Sequence, residues 1–382
     1  MGTLRPRTGI VLASAALFSN NQADVLERSY NQFRTGANTS ETILNPSNVK
    51  SSANQFHRRF VMKVDGKIES SPLYAAGVSI AGGTHNVVYV ATMHNTVFAF
   101  DADTGAQLST RSVDTPVTGP DVTTLKSPTI HREFGVVSTP VIDRSSGTLY
   151  LVRWGYEPGT SGPTFRLFGL DMTDLSKEKF LSKVIDSYNV GGRGFNRYLQ
   201  IQRAALTLVT KPSGAKAVVI AFAGGEGQGA VAGWVVAFDT AKLAGTDPPA
   251  VWCSNPDNSD GPGGGAGVWM ANAAPAVDSN GDIFVVTGNG PYRPHFALDQ
   301  LGESVVHLVW TPETPGNPAT LTVADWFTPF RDEDRDDDHR DQDLASGGVL
   351  MMPDGPASSS EAKTACTITS TPPIWGSATS PS

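Results

Sequence analysis

Five kinds of side chain in this sequence stand where they would do chemistry. Asn289, held between Gly288 and Gly290, offers an amide oxygen on a backbone free to turn sharply toward a hard cation. Trp269, just after the glycine-rich stretch 261–267, offers a flat face to an aromatic ligand. Arg203 has the planar fork that grips a carboxylate with two hydrogen bonds. Glu69 opens a run of small and apolar residues, so a strand facing inward would leave its carboxylate in need of a partner. Asp341 and Asp343 are candidate general bases, provided that a nearby cation keeps one of them ionised.

Each position also has a plainer reading. Gly-Asn-Gly is a strong hairpin-turn signal, and a tryptophan at a strand edge is usually packed. Arg203 serves equally well as a salt bridge between neighbouring units. The aspartates belong to the run 331–343, in which eight acidic residues and three arginines follow one another. Such a run reads as a solvated loop. The polar cluster His131-Arg132-Glu133 stands, like Arg203, just before an inner strand. Asp101-Ala102-Asp103-Thr104-Gly105 and Asp278-Ser279-Asn280-Gly281-Asp282 resemble pieces of calcium loops, but they lack the closing glutamate and fall at strand joints, where turns belong.

Repeated elements must position these residues. Segments with a proline after small residues recur around Pro72, Pro140 and Pro275, with intervals of 68 and 135 positions. The second interval is twice the repeat, so a copy is expected near 207. A second strand recurs at 87–92, 148–153, 217–222 and 283–287. A third ends at Asp101, Asp171 and Asp239, with a fourth copy at 305–310 that lacks the aspartate. Units of three or four antiparallel strands cannot bury both their faces alone and must stack. The pattern therefore predicts an all-β propeller with four units over about 66–340 and a fifth beginning at 344–352.

Composition agrees with short strands and many turns. The 382 residues include 39 Gly and 26 Pro, and only 17% are charged. The net charge of −8, with no basic stripe, argues against nucleic acid as a partner. The apolar run 10–18 is nine residues long, against about 20 for a membrane-spanning helix. It follows Arg5 and Arg7, as the core of a short export signal would, so a secreted or periplasmic protein is expected. Cys253 and Cys366 are compatible with one bridge or two thiols. Residues 1–23 read as a signal or unstructured start, 24–355 as the propeller and 356–382 as a low-complexity tail.

The segment Tyr30-Asn31-Gln32-Phe33-Arg34-Thr35-Gly36-Ala37-Asn38, followed by Leu44-Asn45-Pro46-Ser47-Asn48-Val49 and VVYVATMHNTVFAFDADTG, resembles the opening of quinoprotein alcohol dehydrogenases. The resemblance covers about residues 28–355. It implies a propeller of that type, eight-bladed in the family and present here as an incomplete ring of about four to five blades. It also implies pyrroloquinoline quinone and calcium as cofactors. By that resemblance Glu69 of Glu69-Ser70-Ser71-Pro72 contacts the quinone and Trp269 stacks on it. Asn289, twenty positions later, ligates calcium, and Asp341 or Asp343 takes the catalytic place. Arg203 would hold a cofactor carboxylate. The adjacent cysteine pair common in the family is missing from 127–137, and the later blades are missing too. Two functions follow: a binding or scaffold propeller with a protein partner on its face, or a quinone- and calcium-dependent oxidoreductase acting on an alcohol or sugar.

Overall fold

The computed structural model describes residues 24–50, 57–121, 132–157, 159, 161–224, 231–257, 265–293, 300–328, 344–352 and 366–368. Asp341, Asp343 and His131 lie outside the described residues, as do the export-signal candidate and nearly all of the tail.

Four antiparallel sheets follow one another along the chain, as the repeat predicts. The first contains Leu73–Ile80, Gly83–Ala91, Thr96–Asp101 and Gln107–Ser112, paired in that order. The second is built on Val141–Asp143, Thr148–Tyr156 and Thr164–Asp171, with Asp174–Glu178 and Lys183–Ile185 outermost. The third has Thr207–Thr210, Lys216–Gly224, Trp234–Asp239 and Ala250–Cys253. Ala276–Val277, Ile283–Val286, Val305–Thr311 and Thr320–Phe327 make the fourth. The copy expected near 207 is the inner strand of the third sheet. Val349–Met351 begins a fifth.

These sheets are blades because their central strands bury both faces. In Lys216–Gly224, Val218, Ile220 and Phe222 pack with Tyr150, Val152, Trp154 and Phe165 of the second blade. The intervening Ala217, Val219 and Ala221 pack with Val277, Ile283, Val285 and Leu308 of the fourth. The same alternation sends Leu149 and Leu151 toward the first blade. Side chains of a strand alternate between faces, so a continuous apolar run lets one strand serve two neighbours. The recurring aspartates close the turns after the third strands. Asp101 Oδ1 accepts from Asp103 N and Thr104 N, Asp171 Oδ1 from Thr173 N, and Asp239 Oδ1 from Ala241 N.

The segment 24–36, which precedes the described blades in the chain, runs along the axial side of their inner strands. Val25 pairs with Tyr74 of the first blade in both directions, and Leu26 O accepts from Ile142 N of the second at 2.8 Å. Arg34 Nη2 donates to Thr207 Oγ1 of the third at 2.8 Å. Gln32 O accepts from Val277 N of the fourth, and Phe33 O from Met351 N of the fifth, both at 2.9 Å. One short segment thus touches the inner strand of each described blade. Arg34 is 7% exposed; it also donates to Pro275 O and pairs with Glu27 at 2.6 Å.

Candidate functional site

Inner strands that converge on an axis gather the residues just before them at one end. Glu69 precedes the first inner strand, Thr139 the second, Arg203 the third and Asn272 the fourth. They are hydrogen-bonded to one another. Asn272 Oδ1 accepts from Thr139 N at 3.0 Å and from Thr139 Oγ1 at 2.8 Å, while its Nδ2 donates to Glu69 O at 3.1 Å. Thr139 Oγ1 also accepts from Ser71 N at 2.8 Å. Arg203 Nη2 lies 3.5 Å from Glu69 Oε2, and Lys67 Nζ 2.5 Å from Glu69 Oε1.

Charge is unevenly placed here. Burial lowers the pKa of the Arg203 guanidinium; Glu69 raises it and Arg28 lowers it further. Arg28 comes from the axial segment, and its Nη1 donates to Ser71 Oγ at 3.2 Å. Arg203 Nη1 and Arg28 Nε are buried without an acceptor among the described residues. An unsatisfied buried donor costs about 1–3 kcal/mol, so two of them in one cationic place fit an anionic ligand.

Trp269, three residues before Asn272 of this ring in the chain, is 37% exposed. The backbone that follows is held in the left-handed region: Met270, Ala271 and Asn272 have φ of 50°, 39° and 69°. Left-handed backbone costs roughly 1–2 kcal/mol per residue away from glycine. Met270 anchors the turn in the core, fully buried, and Asn272 ties it to two other blades. The strained turn leaves Trp269 partly exposed.

Asn289 is placed differently. Its backbone oxygen accepts from Ala266 N at 2.5 Å, and among the described residues no hydrogen bond joins it to Glu69, Arg203 or Trp269. Gly288-Asn289-Gly290 does not close a tight hairpin either: the chain leaves Ile283–Val286 there on an excursion through Tyr292–Arg293 and Gln300–Leu301 before Val305–Thr311. A β-carbon on Gly290 would meet Ala266 N at 2.3 Å, so this glycine is there for close packing. Asn289 Oδ1 is buried without a partner among the described residues.

The described residues therefore fit a flat anion better than they fit a cation. Arg203, Arg28 and Trp269 have the chemistry for a planar polycarboxylate such as pyrroloquinoline quinone. For calcium there is the orphaned Asn289 oxygen, but among the described residues no three His, Cys, Asp or Glu side chains gather. The calcium-loop look-alikes are occupied by protein: Asp278 Oδ1 accepts from Asn280 N and Asp282 N, and Asp282 pairs with Lys211 at 2.7 Å.

Reading the sequence missed Thr139, Asn272 and Arg28. Thr139 had a signal, since it occupies the place before Pro140 that Ser71 occupies before Pro72. Asn272, three residues before Pro275, is a residue type that tolerates left-handed backbone. Arg28 had none.

No protein-family model matches the chain, and no curated protein matches it. Among solved structures it is similar to quinohemoprotein alcohol dehydrogenase from Comamonas testosteroni, at 18% identity and a TM-score of 0.48, over 87% of this chain and 44% of that one. It is also similar to a europium-containing methanol dehydrogenase, at 15% identity and a TM-score of 0.48, over 80% of this chain and 49% of that one. A third is quinohemoprotein alcohol dehydrogenase ADHIIG from Pseudomonas putida HK5, at 16% identity and a TM-score of 0.42, over 70% of this chain and 35% of that one. The chain spans less than half the length of these structures. Among the described residues no helix is long and apolar enough to cross a membrane.

Proposed function

We propose that this chain is a binding propeller whose axial end holds a flat, anionic small molecule of the pyrroloquinoline quinone class. One observation carries the reading: the half-buried Arg203 guanidinium keeps its Nη1 without an acceptor among the described residues while a second guanidinium, Arg28, acts on it. Arg203 would grip a ligand carboxylate, Trp269 would stack on the ring system, and Glu69 would hold Arg203 in place through their ion pair. The ring of Thr139 and Asn272 keeps these groups from drifting apart.

A second reading is favoured by the orphaned oxygen of Asn289. In it the chain is an exported oxidoreductase acting on an alcohol or sugar, with Asn289 helping to hold a calcium ion and Asp341 or Asp343 taking the substrate proton. The quinone, when bound, would supply the two-electron acceptor. The scaffold alternative, with a protein partner on the propeller face, needs no ligand at all.

Titrating the protein with pyrroloquinoline quinone, with and without calcium, and following tryptophan fluorescence separates the three. Binding that Trp269→Ala weakens about tenfold, without dye reduction by any of a panel of alcohols and sugars, supports the binding propeller. Calcium-dependent dye reduction supports the oxidoreductase. Absence of binding at micromolar quinone would rule out both and leave the scaffold.

A further inference from the structure

Arg28 belongs neither to a blade nor to a loop between blades. It rises from the axial segment, and its anchor Ser71 is fixed through its own N–H to Thr139 of the second blade. Arg203 of the third blade is near enough to feel the charge of Arg28, and Glu69 of the first is paired to Arg203. Lys67 already lies 2.5 Å from the other oxygen of Glu69. Two cations therefore share one carboxylate, and Arg28 adds a third positive charge that Arg203 feels. The repulsion between the two guanidiniums opposes the docking of the very segment that carries Arg28, and burial weakens the screening that would relieve it. An anion held by both guanidiniums reverses that sign, because each then gains a charge-assisted hydrogen bond.

We infer that Arg28 is part of the anion-holding site, and that ligand binding and the docking of residues 24–36 on the axis reinforce each other. This inference rests on the proposed binding function. The axial segment forms the floor of the site, and the ligand fastens the segment. Such coupling is reciprocal: whatever loosens the segment weakens the ligand by the same factor.

Four amides report the docked segment: Tyr74 N, Ile142 N, Val277 N and Met351 N each donate to one of its carbonyls. The full chain is titrated with pyrroloquinoline quinone, and separately with inorganic phosphate, by calorimetry, and exchange at these amides is followed by NMR or mass spectrometry. In the unmodified protein the quinone is expected to slow their exchange roughly fivefold or more, within the usual range of coupling between sites. Arg28→Gln is expected to bind about tenfold more weakly and to lose that protection, and Arg28→Lys to recover most of the affinity. Ser71→Ala, which frees Arg28 from its anchor without touching a charge, is expected to weaken binding about threefold. Phosphate that binds and protects as the quinone does would make the site one for compact anions and would still support the coupling. Arg28→Gln that folds and binds like the unmodified protein, or quinone binding that leaves the four amides unchanged, overturns the inference while the binding function stands. If Arg28→Gln does not fold, unchanged binding by Ser71→Ala together with unprotected amides overturns it. Failure of the unmodified protein to bind the quinone overturns both.

Discussion

Glu157 shows how this protein treats charge where no ligand is involved. Its carboxylate bonds Arg166, Thr164 and the fully buried Arg153, and the hydrogen bond from Arg166 leads in pulling its pKa down to about 2. Asp101 is held at about 2 in the same way, with the His85 hydrogen bond as the leading cause. Both carboxylates are more acidic folded than unfolded, so their stabilisation is complete above about pH 4.5 and is lost as the pH falls toward 2. Urea midpoints are therefore expected to drop across that window. Glu157→Gln should cost of order 2 kcal/mol at neutral pH and should flatten the drop in a pH series. Cys253 is inert by the same logic of environment: burial pushes its thiol up to about 12. Of the residues in the proposed site, the sequence made Glu69, Arg203 and Trp269 visible because each type advertises its chemistry. Asn289 was visible as well, but for a role the fold gives little help with. Thr139 and Asn272 act through geometry alone, and a residue type says nothing about which other blade it faces.

At the scale of elements, the blades were almost fully legible and the axial segment was not. Second and third strands repeat an apolar pattern because each must satisfy two neighbouring blades, and such a constraint leaves a trace at every copy. The segment 24–36 occurs once, has no periodicity, and makes its contacts largely through backbone groups and a few scattered polar side chains, so only similarity to a family drew notice to it. Its importance is testable through Arg34. That side chain donates to Pro275 O, Thr207 Oγ1 and backbone oxygens of its own segment, besides pairing with Glu27. Arg34→Met is expected to lose about 3–5 kcal/mol, the usual result of breaking a buried ion pair from one side, as a fall in the calorimetric melting temperature. Phe222→Ala, at the interface of the second and third blades, should cost a similar 3–5 kcal/mol through the cavity it leaves. The two variants are expected to differ in kind. Arg34→Met detaches the axis and should broaden the transition, whereas Phe222→Ala should shift it without broadening.

Taken whole, the molecule sets a local field against a distant one. The chain carries a net charge of −8, yet three cations meet at the axial end. A polyanionic ligand is repelled on approach and attracted on contact. Salt screens the long approach more than the buried contact, since the screening length is about 10 Å at 0.1 M. The association rate of pyrroloquinoline quinone, measured by stopped flow, is therefore expected to rise as ionic strength increases from about 0.01 to 0.1 M. A rate that falls instead would mean that the positive end dominates the field. The axial segment has a last consequence, in time rather than in space. Arg34 reaches Pro275 across 241 positions of chain and Gln32 reaches Asp278 across 246, so the segment can pair with the first and second blades early but cannot complete its contacts until the fourth is made. Each blade folds on neighbours close in sequence, while closing so long a loop is slow and entropically costly. The segment translated before the described blades is thus among the last to complete its contacts, and until then the inner strand of the fourth blade stands open to other chains.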